Sequence, residues 1–499
     1  MTQSIDYAAV APALLVALAA IAVLLADAFD VPRRVLGFVA AGAVGAALIA
    51  VIALAFGDRR ATFCLTDDLR GQGPPSCSYV ADDFTLIFQG VVLTAALVVV
   101  LLSLEEISAS RLPAGEYHFL LLAAITGVLT LVAARDLVML VVALETLSLP
   151  VFALVALRRY DGVASEAALK LFLVSVISTA VMLFGISLVY GVTGAMHLDR
   201  MAVALGRLDA DMEPVAALGV VLVLAGFAFK VAAVPFHFWA PDVYQGAPLP
   251  IAAFLSVISK AGGFAGLVLV VALGFPAYGH VWGPVLAVLA AVTMTLGNLV
   301  ALRQRSAIRL LAWSSIAQSG YILAPLAVGD ERLPEAVAAS VAYVAIYSVM
   351  NIGAFAVVIG YHRRTAVAGT SPVWDTLDDY RGLARRNPGT AAAMAFFLIC
   401  LAGLPPGVMG LFAKIVVFRA TVAGGVTWLA VVMAVNTVIG LYYYLAWAAR
   451  LFAAPDGSVE PRSLPRDGAL RAAIGAAAAG AVVLSAAPQL VLQAAAATG

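Results

Sequence analysis

Charge is scarce in this sequence. Asp, Glu, Lys and Arg make up 12% of its 499 residues, while 63% are hydrophobic and the formal net charge is zero. A soluble domain carries about 25% charged residues, so this balance excludes a water-soluble enzyme or a nucleic-acid binder and implies a polytopic membrane protein. Cysteine is scarcer still. Cys64, Cys77 and Cys400 are too few and too scattered to hold an iron–sulfur cluster. The five histidines (His118, His197, His237, His280 and His362) lack metal-ligand spacing, and no Gly-rich dinucleotide loop is present. No cofactor and no metal is therefore expected in this chain. The opening MTQSIDYAAV has no Lys or Arg, so it lacks the basic start of a cleaved signal, and the first apolar run is expected to stay in the mature protein.

What is present is a succession of apolar runs of about 20 residues. About fourteen transmembrane helices are expected, in a single all-α membrane domain spanning 1–499. It divides into three N-terminal helices (1–110), two groups of five (116–274 and 281–450) and a C-terminal helix (469–499). Only Gly57 to Asp83 and His362 to Gly389 leave room for structure between spans. Seventeen of the 25 arginines fall on the side reached after odd-numbered spans. By the positive-inside rule that side is cytoplasmic and both termini face out.

Lysine is the exception to this placement. There are four, Lys170, Lys230, Lys260 and Lys414, and all lie inside apolar spans, whereas arginine occupies loops and span ends. Arg stays charged at any physiological pH, but a desolvated Lys can take up and release a proton. A row of lysines at membrane depth is therefore a candidate proton relay. Lys170, one turn after Glu166, equally suits a side chain snorkelling to the interface. An ammonium in the bilayer needs a counter-charge, and Glu145 is the one acidic residue within the interior of a span, so Glu145 is expected to pair with Lys230. Opening and closing that pair would switch the charge on Lys230.

Prolines interrupt the same spans. Pro235 lacks an N–H, which frees the Val231 carbonyl one residue beyond Lys230, and broken backbone at membrane depth must be buried in protein or line a wet cavity. His237 lies near the Lys230 face and is a candidate to pass a proton toward Lys260, though a hydrogen-bonded interfacial His beside Trp239 is the alternative. In span twelve, Pro405 and Pro406 interrupt the helix two turns before Lys414. The Pro-broken, Lys-bearing helices are thus spans seven and twelve, fourth in each group of five. An odd number of crossings inverts spans nine to thirteen relative to spans four to eight, the plan of ion transporters.

The strings GFAFKVAAVPFHFWAPDVYQGAPLPIAAFLSVISK (226–260), LVVALETLSLP (140–150), LLAWSSIAQSGYIL (310–323) and LAGLPPGVMGLFAKIVVF (401–418) resemble the antiporter-like membrane subunits of respiratory complex I. PFHFWAPDVYQGAP, and Lys in place of Glu in span twelve, resemble the subunit N branch. The resemblance covers about Phe84 to Arg450. It implies a proton-translocating translocase subunit in a bacterial inner membrane, with Glu145 and Lys230 as the charged pair, Lys260 as the central relay and Lys414 at the end of the path. Lys170 and His237 fall on positions that are polar in that family. It also implies lipid and other membrane subunits as partners, including further antiporter-like ones, with NADH, FMN, iron–sulfur clusters and quinone held elsewhere. A cation/proton antiporter subunit of the Mrp type is the alternative. The external loop with Cys64 and Cys77 departs from the family pattern, and a disulfide and two free thiols remain equally open.

Overall fold

The structure is a computed structural model that describes residues 5–66, 75–109, 112–158, 160–329, 332–367, 376–454 and 468–498. The chain begins with α1 (Tyr7–Ala28) and α2 (Arg33–Ala55), followed by an antiparallel hairpin of β1 (Arg60–Cys64) and β2 (Cys77–Ala81). Next come α3 (Asp83–Ala109), α4 (Ala114–Leu131), α5 (Leu137–Val155), α6 (Gly162–Thr193), a short α7 (Leu198–Leu205), α8 (Glu213–Lys230) and α9 (Trp239–Gly246). Helix α10 (Leu249–Gly274) contains two π-helical segments. The remainder is α11 (Gly279–Ala301), α12 (Ala307–Leu323), α13 (Leu333–Val367), the one-turn α14 (Leu383–Arg386), α15 (Pro388–Ala402), α16 (Val408–Ala423), α17 (Thr427–Phe452), α18 (Gly468–Ala486) and α19 (Gln489–Ala496).

Among the described residues, thirteen helices are long and apolar enough to cross a membrane. Helices suit that setting because each satisfies its own backbone where no water can. Side chains also close some helix ends: Asp136 accepts from Met139 N at 2.7 Å to start α5, and Asp161 accepts from Val163 N to start α6. Helices α10 and α13 form the buried centre, whereas α1, α2 and α6 keep broad apolar faces outward.

Within the loop from Gly57 to Asp83, where the sequence leaves room for structure, the chain forms the β1–β2 hairpin. Its two strands are joined by a Cys64–Cys77 disulfide, which answers the question left open by the sequence. The hairpin is stitched to the α4–α5 turn, since Val80 N donates to the Ala133 carbonyl and Arg135 N to that of Ser78. Arg135 also makes two hydrogen bonds to Asp82, at 2.9 and 2.7 Å. In the segment before α15, Leu377 and Tyr380 are buried, with Tyr380 stacked on Tyr361 at 4.5 Å.

Both helix interruptions fall beside lysines. Helix α8 stops at Lys230, and Ala232 takes the left-handed conformation (φ 56°). The Val231 carbonyl, freed as Pro235 requires, accepts from Ser319 Oγ on α12 at 2.7 Å. Helix α15 stops at Ala402 with Gly403 left-handed (φ 79°), and α16 resumes at Val408. Lys260 directly follows the π segment Leu255–Ser259, a local widening of the helix that is frequent at functional sites.

Candidate functional site

Lys230, Lys260 and Lys414 are all buried, and among the described residues none has a carboxylate within ion-pair distance. Each donates instead to uncharged oxygen. Lys230 Nζ donates to Ser148 Oγ at 2.6 Å. Lys260 Nζ donates to the Ser315 carbonyl at 2.5 Å and to Ser319 Oγ at 2.9 Å. Lys414 Nζ donates to the Ala402 carbonyl, at the broken end of α15, at 2.7 Å. It also sits 5.4 Å from the centre of the Tyr321 ring, within reach of a cation–π attraction.

The direct Glu145–Lys230 ion pair expected from the sequence is not closed. Glu145 Oε1 accepts from Thr179 Oγ1 of α6 at 2.8 Å, while Ser148, one turn along α5, takes Lys230. A serine side chain therefore stands where direct contact was expected. Beside it is a cavity of about 10 Å³ whose lining includes Ser148, Ser175, Lys230 and Ser259. That is about the least room one water requires, and its lining runs from Lys230 to the residue preceding Lys260.

Helix α12 supplies most of the connecting groups. Ser315 Oγ hydrogen-bonds Tyr347 at 2.7 Å, and Tyr347 donates to the Ser256 carbonyl in the π segment at 3.0 Å. Gln318 accepts from Tyr343 at 2.6 Å and donates to Tyr444 at 3.2 Å, and Ser314 hydrogen-bonds the same tyrosine. The sequence reading missed these serines, tyrosines and Gln318. A signal was available: α12 is the least apolar of the thirteen long helices, yet almost all of it is buried. A polar helix at the centre of an apolar bundle has to hydrogen-bond to its neighbours.

Lys170 and His237 lie apart from this network. Lys170 is exposed and joins a surface cluster in which its Nζ is 2.6 Å from Glu166 and 2.8 Å from Asp242. Arg309 shares Asp242 at 3.2 Å. Burial works against the Asp242 carboxylate, but the hydrogen bonds and positive charges of Lys170 and Arg309 win and hold it below the usual carboxylate range. The His237 ring packs edge-on to Trp313 at 5.3 Å, and no hydrogen bond joins it to Lys230 or Lys260.

A bundle of membrane-spanning helices with amines and hydroxyls threaded through its centre, two of its helices broken next to those amines, has the build of an ion-translocating membrane protein. Residues 134–440 match the transmembrane family described as NADH:quinone oxidoreductase/Mrp antiporter, and the chain belongs to that family. It is 53% identical to NADH-quinone oxidoreductase subunit N 2 of Streptomyces griseus, over 99% of this chain and 94% of the relative. Subunit N of Salinispora tropica is 46% identical over 92% of this chain and 88% of the relative. Among solved structures, a chain of respiratory complex I from Thermus thermophilus with bound aureothin superposes with a TM-score of 0.78 at 32% identity, over 98% of this chain and all of the other. A chain of the Mrp complex from a Dietzia species shares the fold, with a TM-score of 0.83 at 22% identity, over 99% of this chain and 97% of the other.

Proposed function

We propose that this chain translocates protons as a non-redox membrane subunit of an NADH-quinone oxidoreductase in a bacterial cell membrane. One observation carries the reading: Lys230, Lys260 and Lys414 are buried in the helix bundle and bound to neutral oxygens, Ser148 of α5 for Lys230, Ser315 and Ser319 of α12 for Lys260, and the Ala402 carbonyl at the end of α15 for Lys414. An amine locked to a carboxylate keeps its proton, whereas one held by neutral groups can hand it on when a neighbour or a water accepts it. Glu145, one turn from the Ser148 that holds Lys230, is the charge that biases the first member of the row. Lys260 is the central relay and Lys414 the terminal one, with His237 and Lys170 lesser participants near its edge.

The finer architecture follows from the same reading. Taking α15 and α16 as one interrupted crossing and adding it to the thirteen long helices gives fourteen crossings. An even number returns both termini to one side, and the arginine bias makes that side the outer one. Spans four to eight and nine to thirteen then form two inverted five-helix groups, each with its broken helix in fourth place. Quinone reduction in neighbouring subunits drives the movement. NADH, FMN, iron–sulfur clusters and quinone belong to those partners, which include further antiporter-like subunits.

The test is Lys260→Met in the assembled complex, with proton uptake into inverted membrane vesicles followed during NADH oxidation. The expected result is normal assembly with proton uptake lost, and unimpaired uptake would sink the reading. Sodium-dependent transport by the assembly without NADH oxidation would favour the Mrp-type alternative, whose fold the chain shares.

A further inference from the structure

Two broken helices end against one continuous helix, and adjacent residues of that helix meet the two ends. Ser319 Oγ lies 2.7 Å from the Val231 carbonyl at the end of α8. Gln318 Nε2 lies 3.4 Å from the Leu401 carbonyl at the end of α15. Successive helical residues point about 100° apart, so one turn of α12 reaches both interruptions at once.

Each side chain is also tied to the lysine at its end. Ser319 Oγ accepts from Lys260 Nζ at 2.9 Å, and so stands between that amine and the backbone one residue past Lys230. Gln318 holds Leu401, whose chain neighbour Ala402 receives Lys414. Gln318 is 2% exposed and Ser319 0%. An amide or hydroxyl buried so completely is destabilising unless every polar atom finds a partner, and here both ends of the Gln318 amide are engaged. This turn of α12 is itself seated on a neighbour. A Cβ at Gly320 would lie 2.5 Å from Met294 Cγ and 2.8 Å from the Ala290 carbonyl of α11, so the two backbones are in close approach.

We propose that Gln318 and Ser319 are positioning residues that tie the two helix interruptions to one rigid support, so that a displacement at the Lys230 end is transmitted to the Lys414 end through α12. Neither residue needs to carry the proton itself. Their role is to hold Val231 and Leu401, and through them the lysines, in a common register. The inference rests on the proton-translocating reading above.

The experiment uses the assembled complex in inverted vesicles, with Ser319→Ala, Ser319→Thr, Gln318→Leu and Lys260→Met measured side by side. The readouts are the amount of assembled complex and the proton uptake per NADH oxidised. Ser319→Ala and Gln318→Leu are expected to lose proton uptake per NADH with assembly unchanged, and Ser319→Thr, which keeps the hydroxyl, to restore it. A merely structural role would lower the amount of complex and leave the ratio per NADH intact, which would overturn the proposal. Normal uptake in both variants while Lys260→Met fails would overturn the positioning role alone. Normal uptake in Lys260→Met as well would overturn the underlying reading. If Ser319→Ala does not assemble, Ser319→Cys, similar in size but with only a weak donor, takes its place, and a wild-type ratio there refutes the positioning role.

Discussion

Gly403 offers a way to disturb Lys414 without touching its charge. It ends α15 in the left-handed conformation at φ 79°, ψ 45°, where any residue with a Cβ pays roughly 1–2 kcal/mol. A Cβ there would also lie 2.9 Å from Lys414 Cδ and 3.3 Å from its Nζ. The lysine stem would have to shift, and the shift is expected to disturb its 2.7 Å hydrogen bond to the Ala402 carbonyl. A hydrogen bond to a charged group contributes about 1.5–3 kcal/mol to holding the amine in place, so its loss would let Lys414 leave its position at the end of α15. Gly425 supplies the control, since its φ is 80° and nothing lies within 4 Å of where its Cβ would stand. Gly403→Ala and Gly425→Ala should therefore lose similar stability by thermal inactivation, while only Gly403→Ala slows NADH-driven proton uptake per assembled complex. Equal proton uptake in the two variants would refute the positioning of Lys414 by the end of α15.

Glu145→Gln keeps an oxygen for the 2.8 Å hydrogen bond from Thr179 but removes the charge. Assembly on native gels is expected to be normal and proton uptake in vesicles impaired. Lys170 lies in an exposed ion cluster, where such pairs are worth about 0–1 kcal/mol, so Lys170→Ala should leave thermal stability and most of the proton uptake intact, and a complete loss would move Lys170 into the main path. At the hairpin, burial pushes the Asp82 carboxyl up, but the Arg135 charge and hydrogen bonds outweigh it and hold the group below its usual 3.8. A lowered folded value means that the pair stabilises fully above about pH 4 and loses its contribution as pH falls through the folded value. The stability difference between wild type and Asp82→Asn, read from thermal melts, should therefore be constant at neutral pH and shrink in acid.

Much of the function was legible along the chain because membranes penalise charge so heavily. With four lysines confined to apolar spans, and Pro235 and the Pro405–Pro406 pair set beside two of them, the sequence carried its own list of candidates. The energetic cost of an amine in an apolar run depends on the residue type and the run, and both can be read from one dimension. Partner choice cannot. Glu145 is the one carboxylate within reach of Lys230 by sequence logic, yet three-dimensional packing gives Lys230 to Ser148 and Glu145 to Thr179. Lys170 sits inside an apolar run but points outward to Asp242 and Glu166.

The sequence alone determined that the chain spans a membrane many times, where its helices break, and which amines fall within apolar runs, because hydropathy and proline geometry are local properties. The tertiary structure decided which oxygens those amines meet. It brought Ser315, Gln318 and Ser319 of α12 to Lys260 and to both broken ends, because hydrogen bonds between residues 55 or more positions apart depend on helix packing, which no local pattern encodes.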